Sequence, residues 1–117
     1  MKGLETGDIY WVNLDPTLGT EQAGRRPALV ISDSAYNNRS NRVIVCPVTS
    51  RVRGWPMDVA LPGSCKTEGV VLCDQVRALD RNLRLHGFIE KAPIEFVTRV
   101  QGVLGSILGF KPGAMGR

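Results

Sequence analysis

The hydrophobic period of the chain changes once, at Pro93, and this limits the fold more than any other feature. Before it, apolar residues come in short runs of strand length. These are residues 8–14 (DIYWVNL), 27–32 (PALVIS), 43–49 (VIVCPVT), 57–61, a longer run inside 68–79 that holds VVLCDQVRAL, and 85–89. Gly, Pro, Asn and Asp separate them, which is the pattern of strands and turns. After Pro93, the residues Ile94, Val97, Val100, Leu104 and Ile107 or Leu108 recur at helical spacing. Proline is tolerated at a first helical position, Glu95 suits the first turn, and Gly109 and Pro112 stop the helix. Gly102 and Gly105 cost helix propensity, and the expected return is close packing on the sheet.

Short strands with one terminal helix predict a mostly β (α+β) fold, a small antiparallel barrel or sandwich. Alternating βα units are absent, which excludes a doubly wound nucleotide-binding sheet. Pro47 predicts an edge or a bulge in the third strand, and the alternation of the fifth breaks at Asp74-Gln75. Residues 15–25, 33–42 (with one helical turn) and 50–56 read as loops, and 80–84 as a turn. At 117 residues the chain fits one domain, expected over residues 1–110, with a frayed tail at 111–117.

Charge and cysteines narrow the classes. The net charge is +4, and eleven of the fifteen basic residues are Arg, whose planar fork matches phosphate. On charge alone a solvated basic surface is the simpler reading. No apolar run approaches the roughly 20 residues of a membrane span. The N-terminal residues have no signal-type apolar stretch. The expectation is therefore a cytoplasmic protein without membrane contact. Cys46, Cys65 and Cys73 are odd in number and widely spaced, which disfavours a disulfide framework. No C-x-x-C pair is present and His86 is the single His, so a zinc site is not expected. Cys46 and Cys73, with apolar neighbours, read as core.

Nucleotide-binding and hydrolase motifs are missing. With one His, a His-pair ribonuclease mechanism is impossible on one chain, and His86 reads as a surface or partly buried side chain. Polar residues concentrate in the first loop: Asp15, Thr17, Thr20, Glu21, Gln22, Arg25 and Arg26. Arg26 leads through Pro27 into an apolar strand, so it is held at the mouth of the sheet. Thr49 and Ser50 place two hydroxyls at the end of the third strand. Gln75 either satisfies a neighbouring backbone group or faces a groove and reads a base. Trp55 either stacks a base or belongs to a core or interface.

Together these pieces resemble the MazF/PemK/Kid family of toxins from bacterial toxin–antitoxin systems. The matching stretches are GDIYWVNLDPTLGTEQAGRRPALVIS, then Tyr36-Asn37-Asn38, CPVTS, GVVLCDQVRALD and the terminal helix, over about residues 7–108. The resemblance implies a CcdB/PemK-like fold: a small SH3-like barrel of antiparallel strands with a C-terminal helix. It implies a homodimer and a cognate MazE-like antitoxin. It implies a metal-independent endoribonuclease that needs no cofactor and cuts single-stranded RNA, chiefly mRNA, at short sequences. The ends are a 2′,3′-cyclic phosphate and a 5′-hydroxyl.

By resemblance Arg26 and Thr49 are catalytic, with Glu21 orienting Arg26 or accepting the 2′-hydroxyl proton; orientation is the favoured role. Expected RNA contacts are Asp15, Thr17, Gly19, Asn37, Ser50, Arg51, Gln75 and Arg77. Two alternatives keep the barrel: a CcdB-like toxin that targets gyrase, and a non-catalytic SH3-like nucleic-acid-binding module. Neither uses the clustered Glu21, Arg26 and Thr49.

Overall fold

The computed structural model describes residues 3–110; the expected tail at 111–117 lies outside them. Three strands, β1 (Asp8–Asn13), β2 (Arg25–Val30) and β3 (Arg42–Thr49), pair in antiparallel succession. A short helix, α1 (Ser34–Arg39), joins β2 to β3, capped by the Asp33 carboxylate accepting from the Ala35 N–H. Three further strands are short: β4 (Asp58–Ala60), β5 (Val70–Leu72) and β6 (Arg77–Asp80). After the single turn α2 (Arg81–Arg84), β7 (Leu85–Lys91) pairs with the free side of β1. Helix α3 (Ile94–Ile107) ends the described chain. The sheet runs β4-β5-β3-β2-β1-β7, with β6 also paired to β3.

The hub is β3. Its first half, Arg42–Val45, pairs with β6, and its last residues, Val48 and Thr49, pair with β5. A one-turn 3-10 helix, Cys73–Gln75, separates β5 from β6. The single long strand expected over 68–79 is therefore two strands, divided where the alternation fails. Pro47 is likewise neither on an edge nor in a bulge. It pairs with Ala28 on one side. On the other it sits between the β6 and β5 pairings, where a missing N–H breaks no ladder.

Adjacent residues of the central strands point to opposite faces, and both faces are covered. Ile9, Leu29, Cys46, Val48 and Val71 pack with Phe96, Val97, Val100 and Leu104 of α3. Leu4, Val12, Leu14, Ala28, Val30, Val43, Val45 and Leu79 form a second cluster. This two-sided burial is why β2 and β3 read as continuous apolar runs. Each such Leu or Val contributes on the order of 1.5–3 kcal/mol. Cys46 and Cys73 are buried free thiols, as expected.

Helix α3 differs from expectation in three details. Ile94 is exposed, and Phe96 takes its place in the core. No neighbouring atom lies within 4 Å of a Cβ built at Gly102, so this glycine does not serve close packing. At Gly105 the nearest is the Phe110 Cβ, 3.8 Å away and part of the helix's own C-terminal turn rather than the sheet. There the Phe110 N–H donates to the Gly105 carbonyl and the Gly109 N–H to that of Ser106, a Schellman closure around Gly109 at φ +86°.

The segment from β4 to β5 is tied to β7 through one carboxylate. Glu90 accepts from the Lys66 N–H (3.0 Å), the Thr67 N–H (2.7 Å) and the Thr67 hydroxyl (2.7 Å). Burial pushes the Glu90 carboxyl up, but these bonds from Thr67 and Lys66 outweigh it and hold the group below its ordinary value. A depressed carboxylate stabilises the fold above its unfolded pKa, near 4.3, and that contribution is lost as pH falls through the folded value. Glu90→Gln is thus expected to cost about 1 kcal/mol at pH 7. Urea midpoints at pH 7 and pH 3 check this, because the gap between the two proteins should narrow in acid.

Candidate active site

The site forms where the β1–β2 loop meets the end of β3. The loop is fixed at its base. The Asp15 carboxylate accepts from the Gly24 N–H (3.0 Å), and the Arg77 guanidinium donates to the Leu14 carbonyl (3.3 Å). Arg84 donates to the carbonyl of Asp15. Further along, Glu21 Oε1 accepts from the Leu18 N–H (3.1 Å), and the Gln22 N–H donates to Gln75 Oε1 (2.7 Å). The last bond joins the loop to the 3-10 turn, 53 residues away in sequence.

Arg26 is the second residue of β2, opposite Val12. Its Nε donates to the Ala23 carbonyl (3.2 Å), and among the described residues its terminal nitrogens have no hydrogen-bond partner. They are left to bind an anion. Thr49 is buried at the last position of β3, its Oγ1 accepting from the Arg51 N–H (3.2 Å). The hydroxyl proton stays available for donation. Arg26, Thr49, Glu21, Gln22, Ala23, Ser50 and Arg51 line one cavity of about 470 Å3.

Among the described residues Glu21 and Arg26 form no ion pair, and Arg26 is held instead by the Ala23 carbonyl. The Glu21 carboxylate is exposed and faces the cavity. Gln75 and Arg77 line an adjoining cavity of about 330 Å3 together with Glu21 and Gln22. Gln75 thus holds a backbone group and also lines a groove. Asp15, Thr17 and Gly19 line neither cavity; Asp15 closes the loop, and Gly19 lies exposed at φ +61°.

Asn37 is a correction. It is fully buried, its Nδ2 donating to the carbonyls of Leu4 (3.2 Å) and Ser32 (3.0 Å) and its Oδ1 accepting from the Ser32 hydroxyl. A side chain so enclosed and satisfied cross-links α1 to the end of β2 and cannot face RNA. His86 is exposed, as expected.

Sequence reasoning missed Gly69. A Cβ built there lies 2.1 Å from the Thr49 carbonyl oxygen and 3.0 Å from the Ser50 Cα, at φ +118°. Only glycine permits this approach, so the residue before β5 sets where Thr49 sits. The signal in the sequence was a lone Gly directly before an apolar run.

A small β fold with a terminal helix, carrying an uncommitted arginine beside a buried threonine hydroxyl, defines a class of anion-binding groove protein. Residues 5–108 match the family described as "PemK-like, MazF-like toxin of type II toxin-antitoxin system". The chain belongs to that family, and it is a toxin endoribonuclease with the CcdB/PemK-like fold. It is 40% identical over 111 residues to endoribonuclease PemK of Escherichia coli, covering 90% of this chain and 82% of that one. The crystal structure of MazF from Deinococcus radiodurans is similar with TM-score 0.86 and 43% identity, over 94% of this chain and 100% of that one. A MazE–MazF crystal structure from the same organism is similar with TM-score 0.80 and 38% identity, over 95% and 100%. The gyrase-targeting and non-catalytic alternatives give way to this match.

Proposed function

We propose that the chain cuts single-stranded RNA, mRNA included, by attack of the RNA's own 2′-hydroxyl on the adjacent phosphorus. The observation that carries this is the convergence of Arg26, Thr49 and Glu21 on one cavity. The 2′-oxygen bonds to phosphorus, the bond to the 5′-oxygen breaks, and the products are a 2′,3′-cyclic phosphate and a 5′-hydroxyl. Because the substrate carries its nucleophile, the protein has three tasks: holding the 2′-oxygen in line, stabilising charge on the phosphorane, and moving two protons. Arg26 donates from its terminal nitrogens to the non-bridging oxygens, where preorganised charge matters most. Thr49 donates its hydroxyl to the same group. Arginine is too weak an acid to serve as a base. The exposed Glu21 carboxylate therefore takes the 2′-hydroxyl proton, and solvent water in the open cavity supplies the proton that the departing 5′-oxygen takes up. Ser50, Arg51, Gln75 and Arg77 extend the groove along the RNA; Thr17 and Gly19, at the loop tip, contact it further out. DNA, lacking the 2′-hydroxyl, is spared.

The reaction needs no metal or other cofactor. The active unit is a homodimer of one toxin domain per chain, acting in the cytoplasm, and a MazE-like antitoxin covers the groove. Exposed Ile107, Leu108 and Phe110 at the end of α3 favour an oligomer. Among the described residues no helix is long and apolar enough to cross a membrane.

Purified protein incubated with a long RNA in excess EDTA is expected to cut at a few short sequences, leaving ends that polynucleotide kinase can phosphorylate without prior phosphatase. Intact RNA across varied sequences, or cutting abolished by EDTA, overturns the proposal.

A further inference from the structure

Among the described residues, carboxylates match only two of the basic side chains. Arg53 pairs with Asp58 (2.7 Å) and lies 3.6 Å from Asp74, and Lys91 pairs with Glu5 (2.7 Å) and Asp8 (3.3 Å). Five arginines without such partners gather on one side of the fold. Arg39 ends α1, Arg42 begins β3, Arg77 begins β6, and Arg81 and Arg84 bound the turn α2.

Register and hydrogen bonds make these positions neighbours. Arg42 lies opposite Asp80, the residue before Arg81. The Arg81 N–H donates to the Asn41 carbonyl (2.9 Å), and its guanidinium donates to the carbonyl of Asn37 inside α1. Arg84 donates to the carbonyls of Asn13 (3.4 Å) and Asp15, and Arg77 to that of Leu14 between them (3.3 Å). The strip therefore starts at the wall of the cavity that Arg77 shares with Gln22 and Gln75, and it ends at Arg42 and Arg39. Arg42 lies seven residues before Thr49 on β3, about 23 Å at the rise of a strand.

A carbonyl oxygen fixes a guanidinium without cancelling its charge, as a carboxylate would. Arg77, Arg81 and Arg84 are thus pinned and still cationic. Arg39 and Arg42 are exposed. The acids nearby are engaged elsewhere: Asp33 and Asp80 cap α1 and α2, and Asp15 takes the Gly24 N–H.

We propose that this strip binds the phosphate backbone of the RNA that flanks the cut site. The proposal rests on the RNA-cleaving reading above and extends it beyond the active-site groove. A strand held at Arg26 and Thr49 that leaves past Arg77 crosses Arg84 and Arg81 and reaches Arg42 and Arg39. Phosphate contacts carry no base information, so the strip adds affinity for long RNA and nothing to sequence choice. An acidic protein would meet the same charge, but continuity with the cavity at Arg77 favours RNA.

Two RNAs test this by fluorescence anisotropy. Both hold the mapped cut sequence with a 2′-O-methyl group at the cut, which blocks cleavage; one stops there and the other adds a uridine tract on each side. In the double variant Arg39→Gln with Arg42→Gln, the flanked RNA is expected to bind about 5-fold more weakly and the short RNA as in the parent. For the flanked RNA, the slope of log K against log salt should become shallower by about 1.4, at about 0.7 per phosphate contact. Lys at both positions should keep most of the affinity, because charge is what the strip supplies. The kcat on a short unmodified RNA should not change. A folded double variant that binds flanked RNA as the parent does, or that loses as much on the short RNA, overturns the proposal. So does weakened binding of polyglutamate with both RNAs unaffected, which makes the strip a protein-docking surface. Should the parent cut no RNA, the cleavage reading fails on its own, and salt-dependent binding of a plain uridine tract still reads the strip.

Discussion

Replacing Arg26 by Ala is expected to lower RNA cleavage at saturating substrate by about 100- to 1000-fold, the cost of removing one preorganised donor from a developing oxyanion. On the proposed mechanism the loss should fall on kcat more than on KM, because there other arginines along the groove take the ground-state phosphates and Arg26 the extra charge of the phosphorane. Stability should barely change. Among the described residues the only hydrogen bond that the side chain makes is from its Nε to the Ala23 carbonyl, and it is exposed enough for water to replace it. Arg26→Lys keeps the charge but loses the planar fork, so it should recover part of the rate. The check is single-turnover kinetics beside thermal unfolding of each protein. A folded Arg26→Ala protein within threefold of the parent rate removes Arg26 from its role.

How much of this was legible in the sequence depends on which interactions decide each feature. Strand positions were legible because β2 and β3 are apolar on both faces and Gly-Pro-Asn segments separate them. Arg26 and Thr49 were legible as motif residues at the ends of such runs. The split of the fifth strand showed only as a fault in alternation. That the backbone makes a full 3-10 turn at Cys73–Gln75 depends on β3 changing partner there, a tertiary fact. Asn37 was misread for a similar reason. It lies among polar residues, and its partners are the nearby Ser32 and, from a distant segment, Leu4, whose approach the local sequence does not show. The Glu21 role turned on which group Arg26 touches, and spacing along the chain does not encode that. Ile94 fits the helical period yet lies outside the arc that the sheet covers, so periodicity alone assigned it to the core.

Gly69 is where fold and chemistry meet most tightly. Ala at this position meets backbone on the far side, with the Thr49 carbonyl oxygen 2.1 Å and carbon 2.8 Å from the new Cβ. Backbone cannot rotate out of the way as a side chain does, so either β5 or the Thr49–Ser50 link must move. The glycine is held from behind as well: its carbonyl accepts from the Leu61 N–H (2.9 Å), and the Glu90 clamp on Lys66 and Thr67 lies just ahead of it. Strain from the positive φ and the overpacking together are expected to cost about 2–4 kcal/mol.

The larger consequence is for catalysis. A shift of about 1 Å in Thr49 is enough to cost on the order of 100-fold in rate. Gly109→Ala is the control: it carries a comparable strain at φ +86° but has open space around the new Cβ and lies far along the chain from the groove. It should lose about 1 kcal/mol and keep its activity. Rates measured well below each unfolding midpoint separate the effects. If Gly69→Ala, fully folded, cuts RNA as fast as Gly109→Ala, the close approach of Gly69 to Thr49 has no part in placing the hydroxyl.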